Sequence, residues 1–280
     1  MIQELNGKHF DNQYRDLDPG PEDKIISLKN GCIMLGGERE NITFPVFGEL
    51  PGECRSRKYR YLFSIGEDRY FLAHDLELKG YRYEKMKYLR RGRPKEALYA
   101  GLVALQIGRF YEALQFCGRC GHPMEHSDRE RMMYCPSCGN REYPKICPCV
   151  IVGVIHDGKI LVSHYKGGFT DHYALIAGFA EVGETIEECA VREVFEETHL
   201  HVKNLRFYKS QPWPFSDSLL FGFFCDLDGD DHIVIEEEEL AMAKWVSPEE
   251  IYEENTDYAL TNEMLCKFKE DYGKKTCGNI

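Results

Sequence analysis

Two short cysteine motifs constrain the fold of this chain more than any other feature of its 280 residues. Cys117 pairs with Cys120 and Cys135 pairs with Cys138; fourteen residues separate the pairs, and a glycine follows each. Thiolates two residues apart bind one tetrahedral ion from a tight turn, and the glycine lets the backbone bend so that its amides point at the sulfurs. Four sulfur ligands leave no open position, which indicates one structural zinc ion per chain. A pair of redox dithiols is the alternative, which the matched spacing disfavours.

The composition and charge narrow the class of protein. Lys and Arg total 35 against 47 Asp and Glu, so the formal net charge is −12. That balance disfavours a general nucleic-acid binder, and it leaves an anionic substrate without an obvious source of attraction. Hydrophobic residues make up 43% of the chain, which disfavours disorder.

The cysteine count and the apolar runs bear on the cellular compartment. The chain contains 12 cysteines, and its first residues, MIQELNGKHF, contain no basic stretch followed by an apolar one. We therefore expect a reducing, cytoplasmic environment and no secretory leader. The longest apolar runs, 149–155 and 219–225, are much shorter than the roughly 20 residues that cross a bilayer, so we expect no membrane partner.

Hydrophobic patterning predicts three domains. Residues 1–112 contain short apolar runs broken by Gly and Pro, which predicts a small sheet-rich N-terminal domain. Residues 113–145 contain the cysteine ribbon, and residues 146–280 form the third domain. In the third domain, Asp157 and Gly158 predict a tight hairpin turn. The predicted elements are strands at 61–64, 70–73, 150–155, 160–162, 174–177, 202–208, 219–226 and 240–246, and helices at 94–115, 186–198 and 260–272.

Two basic stretches lie in the first hundred residues. One contains Arg55, Arg57, Lys58 and Arg60, and the other runs over residues 85–95. The simplest interpretation of such runs is a solvated surface. The second stretch could also follow an RNA strand, if the chain acts on one.

Three acidic residues lie at helical spacing in the predicted helix 186–198. Glu193, Glu196 and Glu197 stand at i, i+3 and i+4 and therefore share one face. We expect the opposite face to pack into a core through Val191, Val194, Phe195 and Thr198. Like charges at this spacing destabilise a helix unless cations bind them, and Mg²⁺ or Mn²⁺, which prefer oxygen ligands, fit best. The alternative is a solvated acidic face with Arg192 as its ion-pair partner.

The residues before this helix complete a longer pattern. We expect Glu184 to meet Arg192, and Gly178 and Gly183 to shape the loop that enters the helix. The pattern resembles the Nudix hydrolase signature, Gly-x5-Glu-x7-Arg-Glu-U-x-Glu-Glu-x-Gly-U, where U is a bulky aliphatic residue. The matching residues are Gly178, Glu184, Arg192, Glu193, Val194, Glu196, Glu197 and Leu200. One position departs, because His199 replaces a glycine, and we expect positive φ there, which histidine adopts at some cost.

The resemblance implies a fold and a set of roles. The fold is an α/β or α+β domain with a mixed sheet flanked by helices, in which Mg²⁺ or Mn²⁺ contacts a pyrophosphate. Glu193 and Glu197 become metal ligands, Glu196 becomes a further ligand directly or through water, and Glu197 orients or deprotonates the attacking water. The carbonyl of Ala177 and the carboxylate of Glu239 complete the implied ligands.

A second motif lies between the predicted strands 202–208 and 219–226. It reads Ser-Gln-Pro-Trp-Pro-Phe-Ser-Asp-Ser, and its two prolines hold Trp213 and Phe215 in directions that suit stacking on a flat ring. A proline-rich turn packed by its own aromatics is the alternative interpretation. The motif resembles the one that marks NADH pyrophosphatases within the Nudix superfamily, with Ser216 in place of a proline. Those enzymes also carry a four-cysteine ribbon before the catalytic domain, and Tyr143 and Pro144 match the segment that follows theirs.

This narrower resemblance implies substrate contacts in both the ribbon and the catalytic domain. The implied contacts are Glu130, Tyr143, Phe179, Gln211, Pro212, Trp213, Pro214, Phe215, Ser216, Asp217, Ser218 and Thr261. The resemblance also implies a homodimer whose ribbon and catalytic domain build the site jointly. It runs from Cys117 to about residue 265, and the residues before it match only loosely.

The leading hypothesis from the sequence is hydrolysis of the pyrophosphate bond of NAD(H) to nicotinamide mononucleotide and AMP, by metal-assisted attack of water. Removal of the NAD cap from the 5′ end of an RNA is one alternative, because it requires the same chemistry. A broader dinucleotide or nucleotide-sugar pyrophosphatase is another, because His199 and Ser216 depart from the two motifs. A zinc-ribbon nucleic-acid binder with an inactive Nudix domain is the non-enzymatic alternative, against which stand the acidic balance and the complete set of carboxylates.

Overall fold

The computed structural model describes residues 1–166, 173–236, 238, 240–252 and 258–273. The chain divides into two compact units, one of Ile2–Lys145 and the other of Met1 with Ile146–Ile280. The domains predicted at 1–112 and 113–145 fall together in the first unit, and the three-domain division stays a prediction. Among the described helices, none combines the length and the apolar character needed to cross a membrane.

The first unit is built on a mixed sheet. Its elements are β1 Phe10–Asp11, β2 Lys24–Lys29, β3 Cys32–Leu35, α1 Gly52–Arg55, β4 Arg60–Ile65, β5 Asp68–His74, β6 Arg82–Lys85 and α2 Lys95–Ala113. The strands follow the order β1-β4-β5-β2-β3-β6, and α2 packs on β2 to β5. Leu98, Leu102 and Leu105 of α2 are buried. The predicted strands at 61–64 and 70–73 and the helix at 94–115 are thereby confirmed.

The ribbon closes the first unit with three two-residue strands. They are β7 Glu125–His126, β8 Met133–Tyr134 and β9 Arg141–Glu142, and they pair antiparallel in that order. The first cysteine pair precedes β7, and the second lies between β8 and β9. The small sheet therefore joins the two cysteine turns.

The second unit contains the mixed sheet that the sequence predicts. Its elements are β10 Cys147–His156, β11 Lys159–Tyr165, β12 Ile176–Phe179, α3 Ile186–Thr198, β13 Val202–Trp213, β14 Ser218–Leu227, β15 Leu240–Val246 and α4 Leu260–Gly273. The strand order is β13-β14-β10-β11-β15, and β12 pairs with β10. Strand β10 is parallel to β14 and antiparallel to β11 and β12.

Strand β10 lies between the two helices because both of its faces are apolar. Val150, Val152 and Val154 join the core cluster that includes Ala190 and Val194 of α3. Ile151 and Cys149 point to the other face and join the cluster formed with Leu260, Met264 and Phe268 of α4. Successive side chains of a strand alternate between faces, so one apolar run supplies both cores.

Two predicted strands differ from the observed ones. The strand predicted at 174–177 is β12, Ile176–Phe179, so Gly178 lies in a strand and not in the loop that was expected. The strand predicted at 202–208 extends to Trp213. Strand β13 is at the edge of its sheet, where Pro212 is tolerated because an edge position does not require its missing N–H.

Candidate functional site

The four cysteines of the ribbon come together as the spacing predicts. Their sulfurs lie within 4.8 Å of one another. The Sγ atoms of Cys117 and Cys138 are 3.6 Å apart, and those of Cys120 and Cys135 are 3.4 Å apart. A tetrahedral shell with Zn–S bonds of about 2.3 Å places sulfurs roughly 3.8 Å apart, so this set fits a structural zinc ion.

Each cysteine pair is held by the same backbone turn. The N–H of Gly121 donates to the carbonyl of Cys117 at 2.8 Å, and the N–H of Gly139 donates to that of Cys135 at 2.9 Å. Both glycines have positive φ, 74° and 71°. Burial acts to raise the pKa of Cys117, but N–H donors from Arg119 and Cys120 outweigh it and lower the pKa to about 6. These backbone donors favour the thiolate at Cys117, whereas at Cys120 the backbone donor from His122 is outweighed by the neighbouring thiols and burial, which raise its pKa to about 12.

The carboxylate helix α3 begins and ends at defined caps. Thr185 accepts a hydrogen bond from the N–H of Glu188, and the side chain of Glu188 accepts one from the N–H of Thr185, which forms a capping box. At the other end, His199 has φ 56° and ψ 20°, and its N–H donates to the carbonyl of Phe195 at 2.8 Å. The positive φ expected at His199 is confirmed.

The faces of α3 differ from the prediction. Glu193 and Glu197 are buried, with 9% and 2% of their surfaces exposed, whereas Val191 and Phe195 are 37% and 41% exposed. The expectation that Val191 and Phe195 pack into the core opposite the acids was therefore wrong, and the alternative of a fully solvated acidic face does not hold for Glu193 and Glu197. Ala190 and Val194 form the buried face of α3, and positions 193 and 197 lie next to that face on the helix. Phe195 instead lies against the rings of His199 and His201.

Gly178 makes room for the carboxylate of Glu193. A Cβ atom at position 178 would lie 1.9 Å from the carboxyl carbon of Glu193 and 2.1–2.2 Å from its oxygens. The φ of Gly178 is not in the left-handed region, so the requirement for glycine is steric. The signature pairs this glycine with Glu193 because strand β12 and helix α3 approach so closely there.

Arg192 joins the loop before α3 to the carboxylates on it. Its Nε and Nη2 atoms donate to both oxygens of Glu184 at 2.8 and 2.9 Å, as expected, and Nη2 also donates to the carbonyl of Phe179. Nη1 donates at 2.8 Å to both Glu193 and Glu196. The hydrogen bonds with Arg192, together with the N–H of Glu181, lower the pKa of Glu184 to about 2, and the three carboxylates raise the pKa of Arg192.

Tyr165 belongs to this site, although the sequence reasoning missed it. Its hydroxyl accepts a hydrogen bond from the N–H of Ala177 at 3.0 Å and lies 3.2 and 3.3 Å from the two carboxylate oxygens of Glu197. Burial and the neighbouring charge of Glu197 raise the pKa of Tyr165, so the hydroxyl keeps its proton and can donate it in a hydrogen bond. No spacing rule links Tyr165 to Glu197, which is 32 residues away in sequence.

The motif at 210–218 forms the end of β13, a turn and the start of β14. The ring of Trp213 lies 5.0 Å from that of Phe215 and 5.5 Å from that of Tyr258. Gln211 is fully buried; its Nε2 donates to the carbonyl of Tyr258, and its Oε1 accepts from the N–H of Leu260. The amide of Gln211 thus ties β13 to the start of α4, and its role as a substrate contact stays a prediction.

The remaining predicted contacts lie in different surroundings. Phe179 is half exposed at the end of β12, and Thr261 is half buried in the first turn of α4. The hydroxyls of Ser216 and Ser218 lie 2.8 Å apart, and Asp217 between them has φ 55°. Pro212 is half buried and Pro214 is buried in the same hairpin.

Two of the remaining predicted residues belong to the first unit, and one lies outside the described residues. In the first unit, the hydroxyl of Tyr143 donates to Oε1 of Glu130 at 3.3 Å, and Tyr143 is half exposed. Glu239 lies outside the described residues. The chain before it passes the end of α3, because the N–H of Glu236 donates to the carbonyl of Glu197 at 3.0 Å.

Comparison with known families accounts for both metal-binding motifs. Residues 148–268 match the family described as "NUDIX domain", and residues 114–143 match the one described as "NADH pyrophosphatase zinc ribbon domain". Residues 148–268 of the chain are therefore a Nudix domain. The ribbon is of the NADH pyrophosphatase type, and it holds a structural zinc site.

Two curated relatives are similar to about half of this chain. The NAD-capped RNA hydrolase NudC of Klebsiella pneumoniae subsp. pneumoniae is 45% identical over 141 residues, which is 50% of this chain and 54% of that protein. NudC of Photorhabdus laumondii subsp. laumondii is 45% identical over 144 residues, again 50% and 54%. The match thus spans about half the length of these relatives. A crystal structure of a NUDIX hydrolase from Nitrosomonas europaea has a TM-score of 0.49 and 21% identity, and the match covers 57% of this chain and 93% of that chain.

Proposed function

We propose that the protein hydrolyses the pyrophosphate bond of NAD(H), giving nicotinamide mononucleotide, oxidised or reduced, and AMP. The observation that carries the proposal is the carboxylate cluster of α3. Glu193 and Glu197 are buried; Gly178 leaves space for the carboxylate of Glu193, and the hydroxyl of Tyr165 contacts that of Glu197. Arg192 donates to Glu184, Glu193 and Glu196, so one positive charge is shared among three carboxylates, and a divalent cation would offset the remaining negative charge of these residues.

The oxygen atoms of the cluster suit a hard divalent cation. Glu193, Glu196 and Glu197 supply carboxylate oxygens, and the carbonyl of Ala177 lies 3.4 Å from the Tyr165 hydroxyl that contacts Glu197. Oxygen donors of this kind suit Mg²⁺ and Mn²⁺ equally, and Glu239 is the further ligand that we infer from the family pattern. When bound, such a cation neutralises the pyrophosphate charge and lowers the pKa of the attacking water.

The hydrolysis requires one proton acceptor and one broken bond. Water attacks one phosphorus atom, the bond between that phosphorus and the bridging oxygen breaks, and the bridging oxygen leaves with the second phosphate. We assign Glu197 to orient the water and to accept its proton, and Tyr165 to hold the Glu197 carboxylate in place. Arg192 keeps Glu193 and Glu196 on the same side of α3 as this pair.

We assign the recognition of the dinucleotide to the aromatic hairpin and the ribbon. Trp213, Phe215 and half-exposed Phe179 present ring faces of the kind on which a base or a nicotinamide stacks. Glu130 and Tyr143 are the proposed contacts from the ribbon. Because the family pattern has ribbon and catalytic domain acting jointly in a homodimer, we also propose a dimer, which light scattering on the purified protein would test.

One assay tests the activity directly. The protein, incubated with NADH and Mg²⁺ or Mn²⁺, is expected to release reduced nicotinamide mononucleotide and AMP in equal amounts, resolved by chromatography. Glu197→Gln should lower kcat by roughly 10³-fold or more, because the proton acceptor is lost, while the fold is kept. Glu187→Gln is the matched control, since Glu187 is exposed on the same helix. Absence of both products, or full activity of Glu197→Gln, would contradict the proposal.

Removal of an NAD cap from RNA is the second candidate, favoured by the similarity to two proteins named NAD-capped RNA hydrolase. The same bond is broken, and the AMP half remains joined to the RNA chain. Hydrolysis of NAD-capped RNA that falls steeply with salt, with little salt effect on NADH, would favour the RNA substrate. Equal salt dependence with faster turnover of NADH would favour the free dinucleotide.

We place the protein in a reducing compartment, the cytoplasm. The support is chemical, because four cysteines of the chain form the zinc site. Structural zinc thiolates persist where thiols stay reduced. Imaging of a fluorescent fusion would test the location.

A further inference from the structure

The first unit contains a cavity that the proposed hydrolysis does not use. Its volume is about 320 Å³, and it lies beside the first basic stretch. Arg55, Arg57, Lys58 and Arg60 line it together with several tyrosines. Ligand sites for small molecules begin at about this size. The basic stretch that the sequence suggests is a solvated surface therefore lines a partly open cavity.

Arg60 is the central cation of this cavity. It is half buried on β4, and in the described residues no carboxylate forms an ion pair with it. Its guanidinium lies over the ring of Tyr111 at 6.0 Å. Burial lowers the pKa of Arg60, which reports the cost of desolvating an unpaired charge. An anion bound in the cavity would offset that cost.

The neighbouring cations are also without acidic partners in the described chain. The guanidinium of Arg57 donates to the carbonyls of His74 and Asp75 at 3.2 and 2.9 Å, which fixes its position but leaves its charge uncompensated. Lys58 is exposed at the rim. Asp16 and Asp18 also line the cavity, and both are exposed, so their effect is screened by water.

A second cavity of about 260 Å³ meets the first at Lys58, Arg60 and Tyr111. It adds His126, whose Nδ1 atom is buried without a hydrogen-bond partner in the described structure. The ring of His126 packs on Tyr111 at 4.6 Å, and burial together with the charges of Arg60 and Lys58 lowers its pKa to about 4. A neutral imidazole with one unused nitrogen is suited to a hydrogen bond with a ligand.

The two cavities share the features of a nucleotide site: cations at Arg57, Lys58 and Arg60 that form no ion pair in the described residues, aromatic rings and an unused polar atom. The acids that line the cavities are exposed Asp16 and Asp18, and Glu112, which lies 3.5 Å from His74. We propose that they bind one nucleotide, free or as a unit of an RNA strand, with its phosphate at Arg57, Lys58 and Arg60 and its base against Tyr14 or Tyr59. Tyr14 and Tyr59 are half buried and line the larger cavity, which leaves part of each ring accessible. Arg–phosphate contacts and base stacking are the usual components of such recognition.

Binding can be measured on the full chain with its zinc and without added Mg²⁺ or Mn²⁺. The probe is a fluorescein-labelled oligoadenylate with a 5′ hydroxyl, followed by fluorescence anisotropy. Lys58→Gln and Arg60→Gln are each expected to weaken binding by about tenfold and to reduce the slope of log K against log salt by about one. Lys79→Gln, an exposed lysine of the same unit away from the cavity, should change binding less than twofold.

Competition assigns the source of the nucleotide. Displacement of the probe by AMP but not by ribose 5-phosphate supports a site for free nucleotides, and displacement only by longer RNA supports a strand. Absence of probe binding would overturn the proposal. Unchanged probe binding in Lys58→Gln and Arg60→Gln, with the thermal transition showing that Arg60→Gln is folded, would also overturn it. Hydrolysis of NADH by Lys58→Gln should stay within twofold of the parent, so the result is independent of the proposed hydrolase activity.

Discussion

The ribbon and the carboxylate helix both arise from short motifs, but they differ in how much of each site lies inside its motif. In the ribbon, each cysteine pair is positioned by its own turn, with Gly121 and Gly139 at positive φ. In α3, the carboxylates depend on residues from two strands, Gly178 on β12 and Tyr165 on β11. A site built from local turns should be lost when one of its ligands is replaced. A site that depends on tertiary packing should also be lost when residues that bind no metal or substrate are replaced.

Loss of one ribbon cysteine should have the largest effect. Cys135→Ser is expected to abolish zinc binding, because structural zinc contributes about 10–16 kcal/mol to the folding of such a site and three thiolates cannot close it. Elemental analysis should fall from one zinc per chain to none, and the amides of residues 117–142 should lose protection from hydrogen exchange.

Cys32→Ser is the matched control for the ribbon, since Cys32 is a partly exposed cysteine of the same unit outside the zinc site. It should keep one zinc per chain. If Cys135→Ser also kept its zinc and its exchange protection, the ribbon would not be a site built from local turns.

Gly178→Ala tests the carboxylate site, which depends on tertiary packing. The added Cβ would overlap the carboxyl group of Glu193, which must move, and a displacement of about 1 Å in a catalytic group can lower turnover by roughly 10²-fold. We expect a loss of that size in kcat for the hydrolysis proposed above, together with a lower thermal transition.

A second substitution tests whether steric overlap with Glu193 is the cause of the lower thermal transition. In the double variant Gly178→Ala with Glu193→Asp, the shorter side chain relieves the overlap, so the thermal transition should recover while activity stays low. Gly52→Ala is the control, because a Cβ there meets no atom within 4 Å. A fully active Gly178→Ala would show that the close approach of β12 to α3 does not matter for function.

Tyr165→Phe should have a smaller effect of the same kind. The hydroxyl that joins the N–H of Ala177 to the carboxylate of Glu197 is lost, and we expect kcat to fall about tenfold with KM unchanged, since Tyr165 positions a catalytic residue and does not bind substrate. Tyr208→Phe is the matched control, because its hydroxyl donates to Glu263 at 3.1 Å, away from α3. Equal kcat values in the two variants would remove Tyr165 from the site.

These cases also show what the sequence could predict. The cysteine spacing, the bounds of α3 and the ion pair of Glu184 with Arg192 follow from local pattern, and each agrees with the structure. The burial of Glu193 and Glu197 and the contact of Tyr165 depend on how β11, β12 and α3 pack, which periodicity does not specify. The steric role of Gly178 was hidden for the same reason, because a glycine in a motif suggests a turn before it suggests a close approach.

The smallest expected effect concerns His199, which departs from the signature at the end of α3. A non-glycine residue in the left-handed region costs about 1–2 kcal/mol, but glycine loses more entropy on folding and would forfeit the contact of His199 Nδ1 with the carbonyl of Val234 at 3.1 Å. We therefore expect His199→Gly to raise the free energy of unfolding by less than about 1 kcal/mol, measured by urea denaturation, and to leave kcat unchanged.

His199→Val should lower that free energy by about 1–2 kcal/mol, because a β-branched residue adopts this backbone poorly. If His199→Gly instead changed kcat strongly, the end of α3 would take part in the carboxylate site, and that site would extend further beyond its motif than Gly178 and Tyr165 indicate.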